Sequence, residues 1–464
     1  MGEVFGQRST APPLIIGSVK TNIGHLEAAA GIASLIKVVM ALQQQEIPPH
    51  LHLQQPNPHI DWEQLPIKVA TGTPWTRGQQ QRIAGVSSFG FSGTNAHVVV
   101  AEAPQVKRKL AQVVRPLHIF TLSAKTQTAL TQLATRYQDY LATTSADIGD
   151  ICFTANVGRS HFNYRQYVVT SSITQLGEQL ADFVAEKVTL HLGQIKDSST
   201  KKLAFIFTDF GCQDAMGHQL YQTQPTFRQA IDQCAEILTS YIDVPLLENL
   251  YPTPKESALL NQSSYANSAL FAFEYALSEL WISWGIQPGA VTGDEVGEYV
   301  AACVAGVFSL EDGLKLMAAH DRQLLPNVEE GLLTEVAKKI SYSAPKTQFI
   351  ARFAGDVATY QYWCRHPFLT GKLFAQRLQT LASSGYEICL EISPRPAILN
   401  TNTEGDLLSS LRQESASYSQ FLHCLGELYL QGVAVNWSGF DRDYLRRLVV
   451  LPTYPFQRQR YWFE

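Results

Sequence analysis

The chain has 464 residues, 45% of them hydrophobic and 17% charged, and a formal net charge of −5. Single cores stop growing near about 250–300 residues, so this length implies roughly two to four folding units. The acidic balance gives no reason to expect a nucleic-acid partner, and the apolar content is that of a packed globular protein.

The start, Met1-Gly2-Glu3-Val4-Phe5-Gly6, has neither the basic nor the apolar region of a signal peptide, and Gly6 stands where a myristoylation site needs Ser or Thr. Seven widely spread cysteines fit reduced thiols rather than a disulfide framework, and no Cys-x-x-Cys or His/Cys cluster marks a metal site. The apolar stretches Ala28 to Leu42 and Ala290 to Leu310 are interrupted by Lys37, Asp294, Glu295 and Glu298, so neither spans a bilayer. The expectation is a cytoplasmic chain without a membrane partner.

Residues 1–104 open on an apolar strand, Leu14 to Ile16. Next comes Gly17-Ser18-Val19-Lys20-Thr21-Asn22-Ile23-Gly24-His25-Leu26-Glu27, a tight loop expected to lead into a helix from about Leu26. Lys20 and His25 at a helix start gain from its positive end and could stabilise an enolate or oxyanion. A lone histidine there is more often a surface side chain. Four prolines between Ile47 and Pro58 exclude regular structure. A Gly/Ser-rich string, Val86-Ser87-Ser88-Phe89-Gly90-Phe91-Ser92-Gly93-Thr94-Asn95-Ala96-His97, then enters the strand Val98 to Val100, and Glu102-Ala103-Pro104 closes the segment.

Residues 105–200 begin with Lys107-Arg108-Lys109 and continue with helical apolar spacing at Leu130, Leu133, Tyr137, Tyr140 and Leu141. Residues 201–440 open on the strand Leu203 to Phe207 and alternate helix and strand patterns, an α/β layer. Within them, Ala290-Val291 followed by Gly293-Asp294-Glu295-Val296-Gly297-Glu298 has the setting of a nucleophile elbow. Residues 441–464 form an aromatic and basic tail.

The strings at 17–27 and 86–97 resemble the C-terminal half of ketosynthases. That resemblance gives Lys20 and His25 catalytic positions and gives Phe91 and Asn95 substrate-binding ones, with Phe91 gating the pocket. Ser92 stands where glycine is usual. The family's nucleophilic cysteine and first histidine lie upstream of such a segment, so the expectation here is a partial thiolase-like fold that leaves an apolar face uncovered.

The run from Tyr265 through the elbow to Asp312 resembles a malonyl-type acyltransferase, whose elbow reads Gly-His-Ser-x-Gly-Glu. Glu295 occupies the serine position, Asp294 the histidine position, and His320 the position of the arginine that pairs with the extender carboxylate. The family's Gly-Gln-Gly-Ser-Gln loop reads Asp209-Phe210-Gly211-Cys212-Gln213. The interval between Arg322 and Glu335 is too short for the family's ferredoxin-like insert and its catalytic histidine. Adjacent acids at 294 and 295 are expected to repel an anionic malonyl group. Tyr362-Trp363-Cys364-Arg365-His366, Leu390 to Pro396 and Leu451 to Trp462 resemble later acyltransferase core and linker segments.

Together these strings resemble a modular type I polyketide synthase. The implied fold class is α/β: a thiolase-like C-terminal half over 1–104, a linker domain over 105–200, an acyltransferase α/β-hydrolase-like subdomain over 201–440, and a docking linker over 441–464. The implied function is architectural, with a silent acyltransferase. The alternatives are an active ketosynthase completed by a chain carrying its N-terminal half, or a product of a disrupted synthase gene. Implied partners are acyl carrier protein and other synthase domains. The family uses phosphopantetheine-carried acyl groups and malonyl-CoA-type extenders, and no cofactor or metal is expected on this chain. The tail is expected to dock through Tyr454, Pro455, Phe456, Tyr461 and Trp462, with Arg458 and Arg460 beside them.

Overall fold

The computed structural model describes residues 12–104, 114–187, 191–196, 201–208, 216–251, 265–323, 331–364, 372–394, 406–409, 418–460 and 462. Residues 1–108 and 109–464 form separate compact units. The 209–213 loop, the pair Arg365-His366, the pair Arg395-Pro396 and Tyr461 lie outside the described residues.

In the first unit, β1 (Leu14–Ile16) pairs in parallel with β3 (Ile67–Val69). Between them run the short helix α1 (Lys20–Ile23), a 3-10 turn (Glu27–Ala29), α2 (Ala30–Gln44) and β2 (Glu46–Ile47), which is antiparallel to β4 (Thr73–Pro74). The expected helix from Leu26 therefore starts later, because the 3-10 turn intervenes, and Lys20 opens a helical turn of its own. Residues 48–66, the proline-rich stretch, hold no helix or strand.

The antiparallel hairpin of β5 (Ile83–Phe89) and β6 (Asn95–Ala101) completes the unit. A Cβ on Gly31 of α2 would stand 3.0 Å from the Ser88 hydroxyl on β5, a close helix-to-strand approach. Only Ala41 and Leu42 of α2 are buried, whereas Ile32 and Ile36 are 55% and 56% exposed. Met40, Val98 and Val99 are exposed too. The apolar face expected to stay uncovered is indeed open within this unit.

The second unit starts with a three-stranded antiparallel sheet, order β7 (His118–Ala124), β8 (Tyr164–Thr170), β9 (Leu192–Gln194). Three helices cover it: α3 (Gln127–Leu141), α4 (Ile148–Val157) and α5 (Ile173–Val184). Their first turns are capped by Thr126, Asp147 and Ser172, whose side chains accept from Ala129, Gly149 and Gln175 N–H groups. The periodic residues Leu130, Leu133, Tyr137 and Leu141 are buried, as their spacing predicts.

Next comes a five-stranded parallel sheet, order β12-β11-β10-β13-β14, built from β10 (Lys202–Phe207), β11 (Ala290–Gly293), β12 (Gln348–Phe349), β13 (Tyr386–Ile392) and β14 (Asp406–Ser409). Before β11 lie α6 (Met216–Thr223), α7 (Pro225–Leu238), α8 (Leu246–Leu250) and α9 (Ala266–Ser283). Helices α10 (Val296–Ala305), α11 (Leu310–Gln323) and α12 (Leu332–Ala337) follow β11. Among the described residues, helices α13 (Tyr360–Trp363), α14 (Lys372–Ser383), α15 (Tyr418–Leu430) and α16 (Trp437–Phe440) come next. The sequence passes from Gln323 to Leu332 without room for another subdomain.

One core joins the two sheets. Ile119, Tyr167 and Val169 of the small sheet pack into the same cluster as Phe205, Trp281 and Phe421. Helix α15 lies so close to β8 that a Cβ on Gly426 would sit 2.4 Å from the Tyr167 ring.

The tail then returns along the small sheet. Arg115 pairs with Asp441 at 3.0 Å, donates to the Phe440 carbonyl, and lies 3.8 and 4.0 Å from the Phe440 and Tyr444 ring centroids. Leu451 and Pro455 are buried, and the Tyr454 hydroxyl accepts from the Lys125 N–H at 3.0 Å. The expected roles of Phe456 and Trp462 are corrected: they are 77% and 76% exposed, because Val449, Leu451 and Tyr454 already supply the apolar contact with this core. Arg458 and Arg460 are exposed as well. Hydrogen exchange should show protected amides at Arg447, Val449 and Phe456, which donate to Asp150 Oδ1, the Thr154 hydroxyl and the Tyr454 carbonyl, and free-peptide rates from Arg458 onward; uniform exchange along the whole tail would contradict this docking.

His118 on β7 supplies a pH test. Burial, with the Arg446 and Arg115 charges nearby, pulls its pKa from 6.5 down to about 3. A depressed histidine favours the fold while neutral, so its contribution is complete above pH 6.5 and is lost as pH falls from there toward 3. Its share of the acid slope is at most about 1.4 kcal/mol per pH unit. His118→Asn should flatten the fall in melting temperature below pH 6.5; an unchanged slope would remove His118 as its source.

Candidate active site

Two of the predicted site groups fall in different units. In the first, Lys20 is exposed at the start of α1 and His25 is exposed just after it, its Nδ1 accepting from the Glu27 N–H at 2.9 Å. Phe91 stands wholly exposed in the turn of the β5–β6 hairpin, and Asn95 is exposed as the first residue of β6. Among the described residues no hydrogen bond joins any two of these four. A residue the sequence reading missed holds the loop: Lys37 Nζ donates to the Ser18 carbonyl at 3.1 Å and to Asn22 Oδ1 at 3.0 Å. Partial burial lowers the Lys37 pKa. Its place on α2, among exposed apolar residues, gave the only sequence signal.

The second group sits at the carboxyl end of the parallel sheet. β10 is central, with β11 on one side and β13 on the other, so the chain reverses its direction of sheet growth beside β10. Crevices at such switch points take ligands in open α/β sheets. β11 leaves the sheet at Gly293 and α10 starts at Val296. Between them Glu295 adopts φ 52° and ψ −112°, a conformation that a residue with a Cβ rarely holds. That is the backbone of a nucleophile elbow, as the spacing predicts.

Two glycines make the elbow possible. A Cβ on Gly293 would stand 2.0 Å from the Gly297 carbonyl oxygen, and one on Gly297 would stand 2.5 Å from the Phe207 carbonyl of β10. The Asp294 N–H donates to the Phe207 carbonyl at 3.0 Å, stitching the turn to the central strand.

The charges differ from the expectation of two unneutralised acids. Arg377, on α14, places Nη2 2.9 Å from Asp294 Oδ1 and Nη1 2.7 Å from the Gly293 carbonyl, with its side chain only 5% exposed. Asp294 therefore has a buried counter-charge, and the predicted repulsion does not come from an isolated acid pair. Arg377 was missed because its partner is distant in sequence. The available signal was its position one turn before Leu381, on the buried side of an amphipathic helix.

Glu298 is buried on α10; burial raises its pKa, against hydrogen bonds from the Tyr362 hydroxyl at 2.5 Å and the Arg352 N–H at 2.8 Å. His320 lies half-buried in the last turn of α11. Its neighbour Asp321 accepts from the Ser268 N–H at 2.9 Å and hydroxyl at 2.6 Å, fastening α11 to the start of α9, and burial raises its pKa to about 6.

Three family models match the chain: Beta-ketoacyl synthase, C-terminal domain, over residues 1–54; CurL-like, PKS C-terminal, over 118–180; and Acyl transferase domain, over 204–348. The spectinabilin polyketide synthase system protein NorA' of Streptomyces orinoci is 30% identical across an alignment covering 99% of this chain and 15% of that protein. Erythronolide synthase EryA2 of Saccharopolyspora erythraea is 29% identical, with 100% of this chain and 16% of that protein covered.

The chain belongs to the modular polyketide synthases.

It spans about 15% of the length of the first of these polyketide synthases. That alignment runs to 553 positions against 464 residues here, so the relative carries segments this chain lacks. The acyltransferase domain of ZmaA has a similar fold, with a TM-score of 0.64, 24% identity, and coverage of 73% of this chain and 99% of that one. The acyltransferase domain from module 8 of the salinomycin polyketide synthase gives 0.59 at 21% identity, covering 70% of this chain and 98% of that one. The chain thus has a ketosynthase C-terminal region and an acyltransferase region of mixed α/β fold. Among the described residues no helix is long and apolar enough to cross a membrane.

The elbow's backbone can be tested apart from any chemistry. Glu295→Gly should raise stability by about 1 kcal/mol, because glycine holds a positive φ without strain. Gly297→Ala should lower it by about 3 kcal/mol or more, since its Cβ would overlap β10. Thermal melts read both, and a destabilising Glu295→Gly would refute the strain assignment.

Proposed function

We propose that this chain is an architectural segment of a polyketide synthase whose acyltransferase elbow is silent in acyl transfer. One observation carries the reading: a complete strand–turn–helix elbow presents the carboxylate of Glu295 where the family resemblance has serine. Acyl-ester formation at an elbow needs a hydroxyl, a base to take its proton and donors for the oxyanion. Here the adjoining Asp294 is held by Arg377. His320 stands at the position of the arginine that would hold an extender carboxylate. The short passage from Gln323 to Leu332 falls where the resemblance has the ferredoxin-like subdomain and the catalytic histidine.

On this reading the chain divides into a ketosynthase C-terminal part over 1–104, a linker domain over 105–200, a degenerate acyltransferase over 201–440 and a docking linker over 441–464. Lys20, His25, Phe91 and Asn95 are the ketosynthase-derived positions. Acyl carrier proteins, which present phosphopantetheine-borne acyl groups, and other synthase domains are its partners. Malonyl-type extenders are handled elsewhere in the assembly.

A second reading rests on the open apolar face of α2. Ile32, Ile36, Val39 and Met40 are exposed together on that helix, and burying such a side chain is worth about 1.5–3 kcal/mol. That face favours a ketosynthase completed by a chain or segment that brings the remaining layer. Mixing with such a front half should then yield an acyl-enzyme that neither piece forms alone.

Intact-mass spectrometry after incubation with malonyl-CoA tests the main reading. No adduct should form, and Glu295→Ser alone should not create one, because catalytic groups act as a unit. A malonyl adduct mapped to the elbow peptide would sink the silent-elbow proposal.

A further inference from the structure

A cavity of about 530 Å3 lies between β7, α3, α4 and the returning tail, within the size range of small-molecule sites. Its floor is apolar: Leu122, Leu133, Tyr137 and Ala155 line it and are buried. Aromatic rings form the outer wall, with Phe162 and Tyr454 centroids 5.5 Å apart and Tyr454 and Phe456 centroids 5.3 Å apart. Phe456 is 77% exposed, so a large ring at the mouth is left uncovered.

The charge of the lining is one-sided. Lys125 and Arg159 line the cavity and no aspartate or glutamate does, although the chain as a whole carries a net charge of −5. Lys125 Nζ sits 5.7 Å from the Phe162 ring centroid and makes no ion pair among the described residues. Arg159 donates to the Gly158, Leu451 and Pro452 carbonyls at 2.9, 3.1 and 3.4 Å, none of which neutralises it. The third basic residue, His161, adds no charge. Both its nitrogens lie 2.8 Å from partners, the Tyr429 hydroxyl and the Asn156 carbonyl, and burial lowers its pKa.

We propose that this cavity binds an amphiphilic organic anion, its apolar body over Leu133 and Tyr137 and its carboxylate or phosphate head between Lys125 and Arg159. An apolar pocket with a few convergent polar groups is the usual form of such a site, and unpaired cations at its mouth select the sign of the ligand. The tail is the roof. Tyr454 is tied to the Lys125 N–H, and Thr126 donates to Gln457 Oε1 at 3.2 Å, so a bound anion also holds the tail down.

Calorimetric titration of the full chain with octanoate, octyl phosphate and octanol tests this, and the tighter of the two anions identifies the head group. At least one anion should bind about tenfold or more tightly than octanol, which has the body without the charge. Lys125→Met should weaken anion binding about tenfold and leave octanol unchanged. Lys125 is the chosen site because Arg159 also anchors the tail. In hydrogen exchange the bound anion should slow the amides of residues 453–457, an effect absent in Lys125→Met. The proposal fails if neither anion binds, if octanol binds as well as the anions, if Lys125→Met leaves anion affinity intact, or if the tail amides do not respond.

Discussion

The elbow depends on a distance too short for a side chain. With a Cβ excluded at Gly293 and at Gly297, β11 and α10 approach each other and β10 at backbone contact, and the turn between them has little freedom. Residue 295 is then forced to φ 52° whatever its side chain. Strain of about 1–3 kcal/mol at such a residue persists only because the surroundings over-determine it. The backbone that would aim a nucleophile is therefore kept by packing, independently of the chemistry at its tip. Charge follows a similar logic: a carboxylate at 294 beside the sheet edge is tolerable because Arg377 reaches it from α14.

A second constraint fixes the tail. The Arg115 side chain is 1% exposed, between Asp441, the Phe440 carbonyl and two aromatic faces. A desolvated guanidinium needs a counter-charge, which Asp441 supplies here even though the buried Nε has no hydrogen-bond partner among the described residues. This pairing joins the strand entering the small sheet to the segment leaving α16. From there the tail has a fixed starting point, and Arg447 to Asp150 at 2.8 Å and Arg159 to the Leu451 carbonyl carry the contact along α4. The docked length ends near Gln457, which accepts from the Thr126 hydroxyl, and residues 458–460 beyond it are exposed.

Local signals in the sequence account for much of this fold. The apolar runs at Leu14 to Ile16, Leu203 to Phe207 and Ala290 to Val291 are strands, and the spacing from Leu130 to Leu141 is a buried helix face. Gly293 and Gly297 four residues apart, straight after a strand, made the elbow legible. Contacts between distant segments were not. Arg377 meets Asp294 across 83 residues, a pairing no periodicity encodes. In the tail, the hydrophobicity of Phe456 and Trp462 was visible but their exposure was not, since which aromatic finds the groove depends on where Arg115 fixes the chain. The 3-10 turn at Glu27–Ala29 likewise escaped a reading based on helical period, because a three-residue turn carries none.

The two units handle apolar surface in opposite ways. In the second, Trp281, Trp284, Phe421 and Phe440 interlock at centroid separations of 4.4 to 5.6 Å, and both sheets share one interior. Its parallel strands are covered by its own helices, which is what an all-parallel sheet requires. The first unit has no comparable interior: beyond Ala41, Leu42, Ala70 and Val86, few of its apolar side chains are buried. Its hairpin keeps β6 open, and its longest helix turns isoleucines and a methionine outward. That apolar surface stays exposed within the first unit, whereas residues 109–464 bury a core of their own. The architectural reading therefore sits most firmly on the second unit, and any ketosynthase chemistry associated with the first would need surface supplied from beyond it.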